Sequence, residues 1–161
     1  MKILVAYGSK YGCTEKCAKL LSDQINRDHD VVLVDHKMSE PANLEEFDWV
    51  VIGGPIYMGK TLPEIVAFIN HNLPELLTKK IGLFICAADL DKVVEQSQLV
   101  FDPELTRHAK AIEHFGYELS LEKMDIISKM IIRMVARVKE NQYNIFTENI
   151  EKFAAMILNS N

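Results

Sequence analysis

The chain has no apolar run approaching the roughly 18–20 residues that a membrane span requires, so a bilayer-crossing helix is not expected. It has no excess of basic charge: 18 Lys and Arg stand against 23 Asp and Glu, for a net charge of −5. Broad nucleic-acid binding rests on a dominant basic surface that neutralises phosphates, and it is therefore not expected here. Only three cysteines are present, Cys13, Cys17 and Cys86, an odd number without a CxxC pair. That excludes a disulfide framework and a zinc-ribbon pattern, and it suits free thiols in a reducing, cytoplasmic compartment. The five histidines show no metal-ligand spacing such as HExxH, and no metal site is expected. The opening residues MKILVAYGSK are too short for a signal h-region and have no cleavage site. With five prolines, seven glycines, no internal repeat and no linker composition, the 161 residues read as one domain, 1–161.

What is present is an alternation of strand and helix. Ile3–Tyr7, Trp49–Gly53 and Ile81–Ala87 are continuous apolar runs, as expected of parallel strands covered on both faces. Asp30–Val34 reads as an edge strand and Tyr117–Leu121 as a fifth. Cys17, Ala18, Leu21 and Ile25 place one apolar face on a helix over about residues 12–27. Thr61 and Glu64 have the spacing of a capping box. Asp102 and Pro103 open a further helix that the sequence carries to Gly116, and a last helix is expected over Thr147–Leu158. The alternation gives the fold class as α/β, a three-layer, doubly wound parallel sheet. Residues 120–145 form an inserted amphipathic segment before the last helix.

Ligands of such sheets bind outside the carboxyl ends of the strands, which directs attention to three loops. In the first, Ser9, Lys10, Tyr11, Gly12, Cys13 and Thr14 lead into a helix. Unpaired amides and the positive dipole end at that point suit a phosphate, with hydroxyls from Ser9 and Thr14 and close backbone approach at Gly12. An ordinary capping turn explains the same residues. In the second, Pro55, Ile56, Tyr57, Met58 and Gly59 offer an apolar, aromatic wall for a flat ring. In the third, Ala87, Ala88 and Asp89 allow backbone to approach the ring edge.

The second loop also spells G-x-x-x-x-G-K-T from Gly54 to Thr61, which opens a nucleoside-triphosphatase reading. A phosphate-binding loop of that kind needs its helix already running at Lys60 and Thr61. Pro63 would then lack the amide owed to the Gly59 carbonyl, a defect of about 3 kcal/mol. A helix beginning later removes the conflict and disfavours that reading.

Together SKYGCT, GGPIYMG and CAADLD resemble the flavodoxin-like family over essentially the whole chain. The resemblance implies a five-stranded parallel sheet in the order 2-1-3-4-5 and FMN as cofactor, with phosphate at Ser9–Thr14 and Tyr57 over the flavin. Tyr11 stands where that family commonly has threonine. Within the superfamily the chain is similar to the menaquinone-dependent protoporphyrinogen oxidases, which carry an extra amphipathic segment before the last helix. Here that segment presents Met124, Ile127, Met130, Ile131, Met134 and Val138 on one face and Lys129, Arg133 and Arg137 on another. Such a helix suits an anionic membrane surface, a groove for a flat apolar substrate bearing carboxylates, or plain packing and a dimer contact. The resemblance implies an FMN-dependent oxidoreductase passing electrons from a porphyrinogen to a quinone, at the inner face of the membrane if α-helical contact holds it there. A flavodoxin carrying electrons between protein partners is the alternative. No side chain stands out as a general base.

Overall fold

The three unalternating apolar runs occupy the centre of the sheet, where cover on both faces requires them. A computed structural model describes residues 1–27, 29–36, 43–88, 93–135 and 140–160. In it β1 (Lys2–Tyr7), β2 (Asp30–Asp35), β3 (Trp49–Pro55), β4 (Lys80–Cys86) and β5 (Ala111–His114) form one sheet in the order β2-β1-β3-β4-β5. All four pairings are parallel. The register sets Val5 beside both Leu33 and Val51, and Val51 beside Gly82. At the edge, β2 is half-buried, whereas β3 is buried from end to end.

Alternation across the sheet feeds two separate cores. On one face α1 (Cys13–Ile25) and α6 (Thr147–Leu158) cover Ile3, Val5, Trp49, Val51 and Phe84, with Cys17, Leu21, Ile25 and Phe153 pointing in. Phe115 joins this core, stacked on Phe84 at 4.6 Å and edge-on to Phe153 at 5.4 Å between ring centroids. On the other face α2 (Pro63–Leu76), α3 (Val93–Val100) and α4 (Pro103–His108) cover Leu4, Val50, Ile52, Leu83 and Ile85. Each large aliphatic side chain so buried contributes about 1.5–3 kcal/mol, and the loops at the strand ends rest on this rigid base.

Two expectations are corrected. The helix opened by Asp102 is real at its start, where the Asp102 carboxylate accepts from the Glu104 amide at 2.7 Å and the Leu105 amide at 3.1 Å. It ends at His108, and the fifth strand is Ala111–His114 rather than Tyr117–Leu121. Ala111 packs in one core and Ile112 against the other, a period of two that pairing with β4 imposes over a helix-like spacing. Residues 116–119 instead form β6 (Gly116–Leu119), antiparallel to β7 (Gln142–Ile145). Gly116 makes the break: its φ is +86°, and a Cβ there would lie 2.0 Å from the Asn144 carbonyl oxygen.

The Thr61 capping box also fails. Helix α2 starts at Pro63 with Leu62 in the N-cap position and no side-chain cap, so Thr61 and Glu64 are each one residue out of phase for a box. Between β6 and β7 the inserted segment holds a 3-10 turn, Leu121–Lys123, and α5 (Ile126–Val135). Among the described residues the helices number six, and none is long and apolar enough to cross a membrane.

Candidate functional site

The strand order reverses between β1 and β3, and the loops leaving those strands and β4 open at the same end of the sheet. A cavity of about 240 Å³ lies there. Pro55, Ile56, Tyr57 and Met58 line it from the loop after β3, and Cys86, Ala87 and Ala88 from the end of β4. Cys13 closes it at the head of α1. These are residues that the sequence brings forward from all three loops. Asp89 and Arg137 lie outside the described residues.

The first loop is shaped by Gly12, whose φ of +95° turns the chain into α1 without a side-chain cap. The first amides of that helix have no acceptor within it. Ser9 is already engaged, its Oγ accepting from the Gly12 amide at 3.1 Å. Thr14 is almost wholly buried in the first turn. Tyr11 turns away from the loop: its hydroxyl donates toward Ser128 Oγ at 3.0 Å and Asp125 Oδ2 at 3.3 Å, at the start of α5. Lys10 holds its ammonium 5.0 Å from the centroid of the Tyr11 ring and 5.9 Å from that of Tyr57. The remaining local cations come from elsewhere. Lys16 pairs with Glu118 at 3.3 Å, and the Lys123 ammonium lies 3.4 Å from where a Cβ on Gly12 would sit.

The second loop is a tight turn. The Tyr57 amide donates to the Lys60 carbonyl at 2.8 Å and the Lys60 amide to the Tyr57 carbonyl at 3.0 Å. Met58 and Gly59 between them both have positive φ, +50° and +75°, as a type I′ turn demands. This geometry removes the nucleoside-triphosphatase reading. Lys60 belongs to the turn rather than to a helix, and the Thr61 hydroxyl is buried without a partner beneath Gly54. The same turn presents Met58, 90% exposed, beside Tyr57. Burial, and to a lesser extent the nearby Tyr11, Cys13 and Cys86, push the Tyr57 phenol well above its usual range. It stays protonated and able to donate at any physiological pH.

The third loop is fixed by His114, whose Nε2 sits 2.8 Å from the Ala87 carbonyl, and by the Ala87 amide, which donates to the Gly116 carbonyl at 3.0 Å. Tyr117, Glu118 and Leu119 of β6 and Ile131 and Ile132 of α5 complete the cavity. Sequence reasoning missed β6 because it placed those residues in the sheet. Ile132 lies off the apolar face expected for the inserted helix, and that irregularity is the one signal that marked it.

Below the cavity the three cysteines converge. All are free and buried, and their sulfurs lie within 4.8 Å of one another. Hydrogen bonding from the Cys17 and Cys86 thiols, helped by the Glu118 amide and the charge of Lys16, pulls Cys13 far below a thiol's usual pKa. Cys17 and Cys86 move up in turn, each first because of its bond to Cys13.

A parallel α/β sheet with an apolar cleft and an uncapped helix N-terminus at its switch point defines a mononucleotide-binding protein of the doubly wound class. The chain matches the flavodoxin domain family over residues 4–145, and it belongs to that family. Similar solved structures include oxidised flavodoxin 1 from Bacillus cereus, at 16% identity and TM-score 0.60 over 100% of this chain and 99% of that one. The Streptococcus pneumoniae TIGR4 flavodoxin is similar at 14% identity and TM-score 0.62, over 98% of each chain. The flavodiiron protein from Giardia intestinalis is similar at 16% identity and TM-score 0.61, over 96% of this chain and 34% of its own. No curated protein matches. The family's cofactor is FMN, and the residues present fit it. An aromatic-walled apolar cavity suits a flat ring, and an uncapped helix terminus with Lys123 beside Gly12 suits an anionic tail.

Proposed function

We propose that this flavoprotein is an FMN-dependent dehydrogenase that oxidises a porphyrinogen and delivers the electrons to a quinone, with α5 as its contact for apolar reactants or the membrane surface that holds them. The observation that carries the reading is the placement of α5. Ile131 and Ile132 line the cavity, while Ile126, Ile127, Met130 and Met134 of the same helix are exposed, Ile126 by 83% and Met134 by 75%. A covering helix would bury that face. A contiguous exposed apolar face next to a ligand cavity instead marks a docking surface. Arg133 is exposed and Lys129 half-buried on the same helix, in keeping with an anionic or carboxylate-bearing counterpart.

Bound FMN supplies acceptance of two electrons from an organic substrate and their onward release. The chain's own residues bind and shield. Tyr57 and Met58 form a wall, Pro55 and Ile56 exclude water from one side, and Ile131 and Ile132 do so from α5. Lys10 and Lys123 supply positive charge near the head of α1. No side chain is required as a general base.

The test is turnover of the FMN-loaded chain with protoporphyrinogen and a soluble menaquinone analogue. The proposal expects quinone-dependent oxidation that falls at least about tenfold in an Ile127→Glu/Met130→Glu variant with FMN uptake unchanged. The second reading, an electron carrier, has in its favour the end-to-end likeness to single-domain flavodoxins. Absent quinone turnover, together with intact transfer between protein partners in the same variant, would establish it instead.

A further inference from the structure

Cys13 and Cys17 stand one helical turn apart on α1, and so share a face. Cys86 ends β4 beneath them. The three sulfurs come within 4.8 Å of one another with every residue buried, Cys17 completely. Three sulfur ligands bound about 2.3 Å from one ion in a plane lie about 4 Å apart, so the observed cluster needs less than an ångström of contraction to close around an ion. We propose that these three cysteines form a trigonal all-sulfur site for a soft monovalent cation of the Cu(I) class.

The donor set selects the ion. The chain has no fourth cysteine, which excludes a four-cysteine iron–sulfur cluster. Structural zinc takes four ligands, and among the described residues no histidine or carboxylate joins the three sulfurs. Soft thiolates without nitrogen or oxygen partners favour Cu(I). A disulfide would use two sulfurs and strand the third, whereas one three-coordinate ion uses all of them.

The surroundings complete the site. Cys13 is the first residue of α1, where the helix dipole favours negative charge, and Lys16 is one turn from it. Cys13 and Cys86 line the cavity, which gives an ion a path to the sulfurs before a flavin is seated. Coordination forms three sulfur–metal bonds and releases a proton from each thiol still protonated, with no change of oxidation state. The site does not rest on the flavin reading, and its test reads metal rather than turnover.

The test is an anaerobic titration of the thiol-reduced chain with Cu(I) in competition with bicinchoninate, carried out before FMN is added, followed by copper X-ray absorption. The expected result is one Cu(I) withdrawn per chain, a first shell of three sulfurs at about 2.3 Å, and affinity lowered more than about a hundredfold in Cys17→Ser. That loss exceeds the 10–100-fold typical of an outer-shell change. Cys17 is outside the flavin cavity, so circular dichroism and flavin uptake of the variant report separately on folding. Should Cys17→Ser fail to fold, the wild-type absorption spectrum decides alone. No withdrawal from the chelator, a first shell of two sulfurs or one containing nitrogen or oxygen, or equal affinity in a folded Cys17→Ser variant would each overturn the proposal.

Discussion

Met58 is the one described residue other than glycine with positive φ, and a left-handed conformation costs an ordinary side chain about 1–2 kcal/mol. Asparagine tolerates it and precedes glycine in the preferred form of this turn. Met58→Asn is therefore expected to raise stability by about 1 kcal/mol in denaturant unfolding while weakening FMN uptake, since it removes apolar wall from the cavity. Greater stability with unchanged uptake would show that Met58 does not serve the ligand. His36 makes a prediction in pH. It packs against Phe68 at 4.1 Å between centroids, and burial holds its imidazole below the ordinary value of 6.5. Below about pH 6.5 the unfolded chain takes up a proton that the folded chain refuses, so stability falls as pH falls until the folded value is passed. Melting temperatures between pH 7 and 5 check this, and His36→Gln should flatten the slope. The turn at Tyr57 and the helix start at Gly12 were legible in the sequence because turn chemistry and helix starts are local. The meeting of Cys13 and Cys17 with Cys86 was not, because only the sheet order brings α1 over the end of β4.

Elements were readable wherever burial was continuous or a cap was local. The central strands, α1, α6 and the Asp102 cap followed from periodicity and end signals. The fifth strand did not: Leu105, Ala109 and Ile112 keep helical spacing, and only pairing with β4 turns residues 111–114 into strand. Gly116 opens β6 under close approach, so Gly116→Ala should cost at least about 2 kcal/mol, read from chemical denaturation. A neutral effect would mean that β6 does not leave the sheet there. Tyr11 ties the first loop to the start of α5. Tyr11→Phe removes hydrogen bonding worth about 1 kcal/mol, and amide exchange in α5 should accelerate roughly fivefold while the sheet is unaffected. Uniform exchange rates in both proteins would detach α5 from the loop.

Across the whole molecule, the class of fold and the end of the sheet where the three loops meet around a cavity were legible from three loops after three apolar runs. The exposed face of α5 was not, because an amphipathic pattern reads the same whether its apolar side meets the domain or faces water. At this scale the prediction is that one site grips a flat ring and an anionic tail together, at Tyr57 and at the head of α1. Equilibrium titration of the flavin-free chain with FMN and with riboflavin, followed by quenching of flavin fluorescence, addresses this most directly. One FMN per chain, riboflavin at least about tenfold weaker for want of the phosphate, and weakened uptake of both in Tyr57→Ala are predicted. Equal affinity for the two flavins, or no uptake of either, would contradict the account.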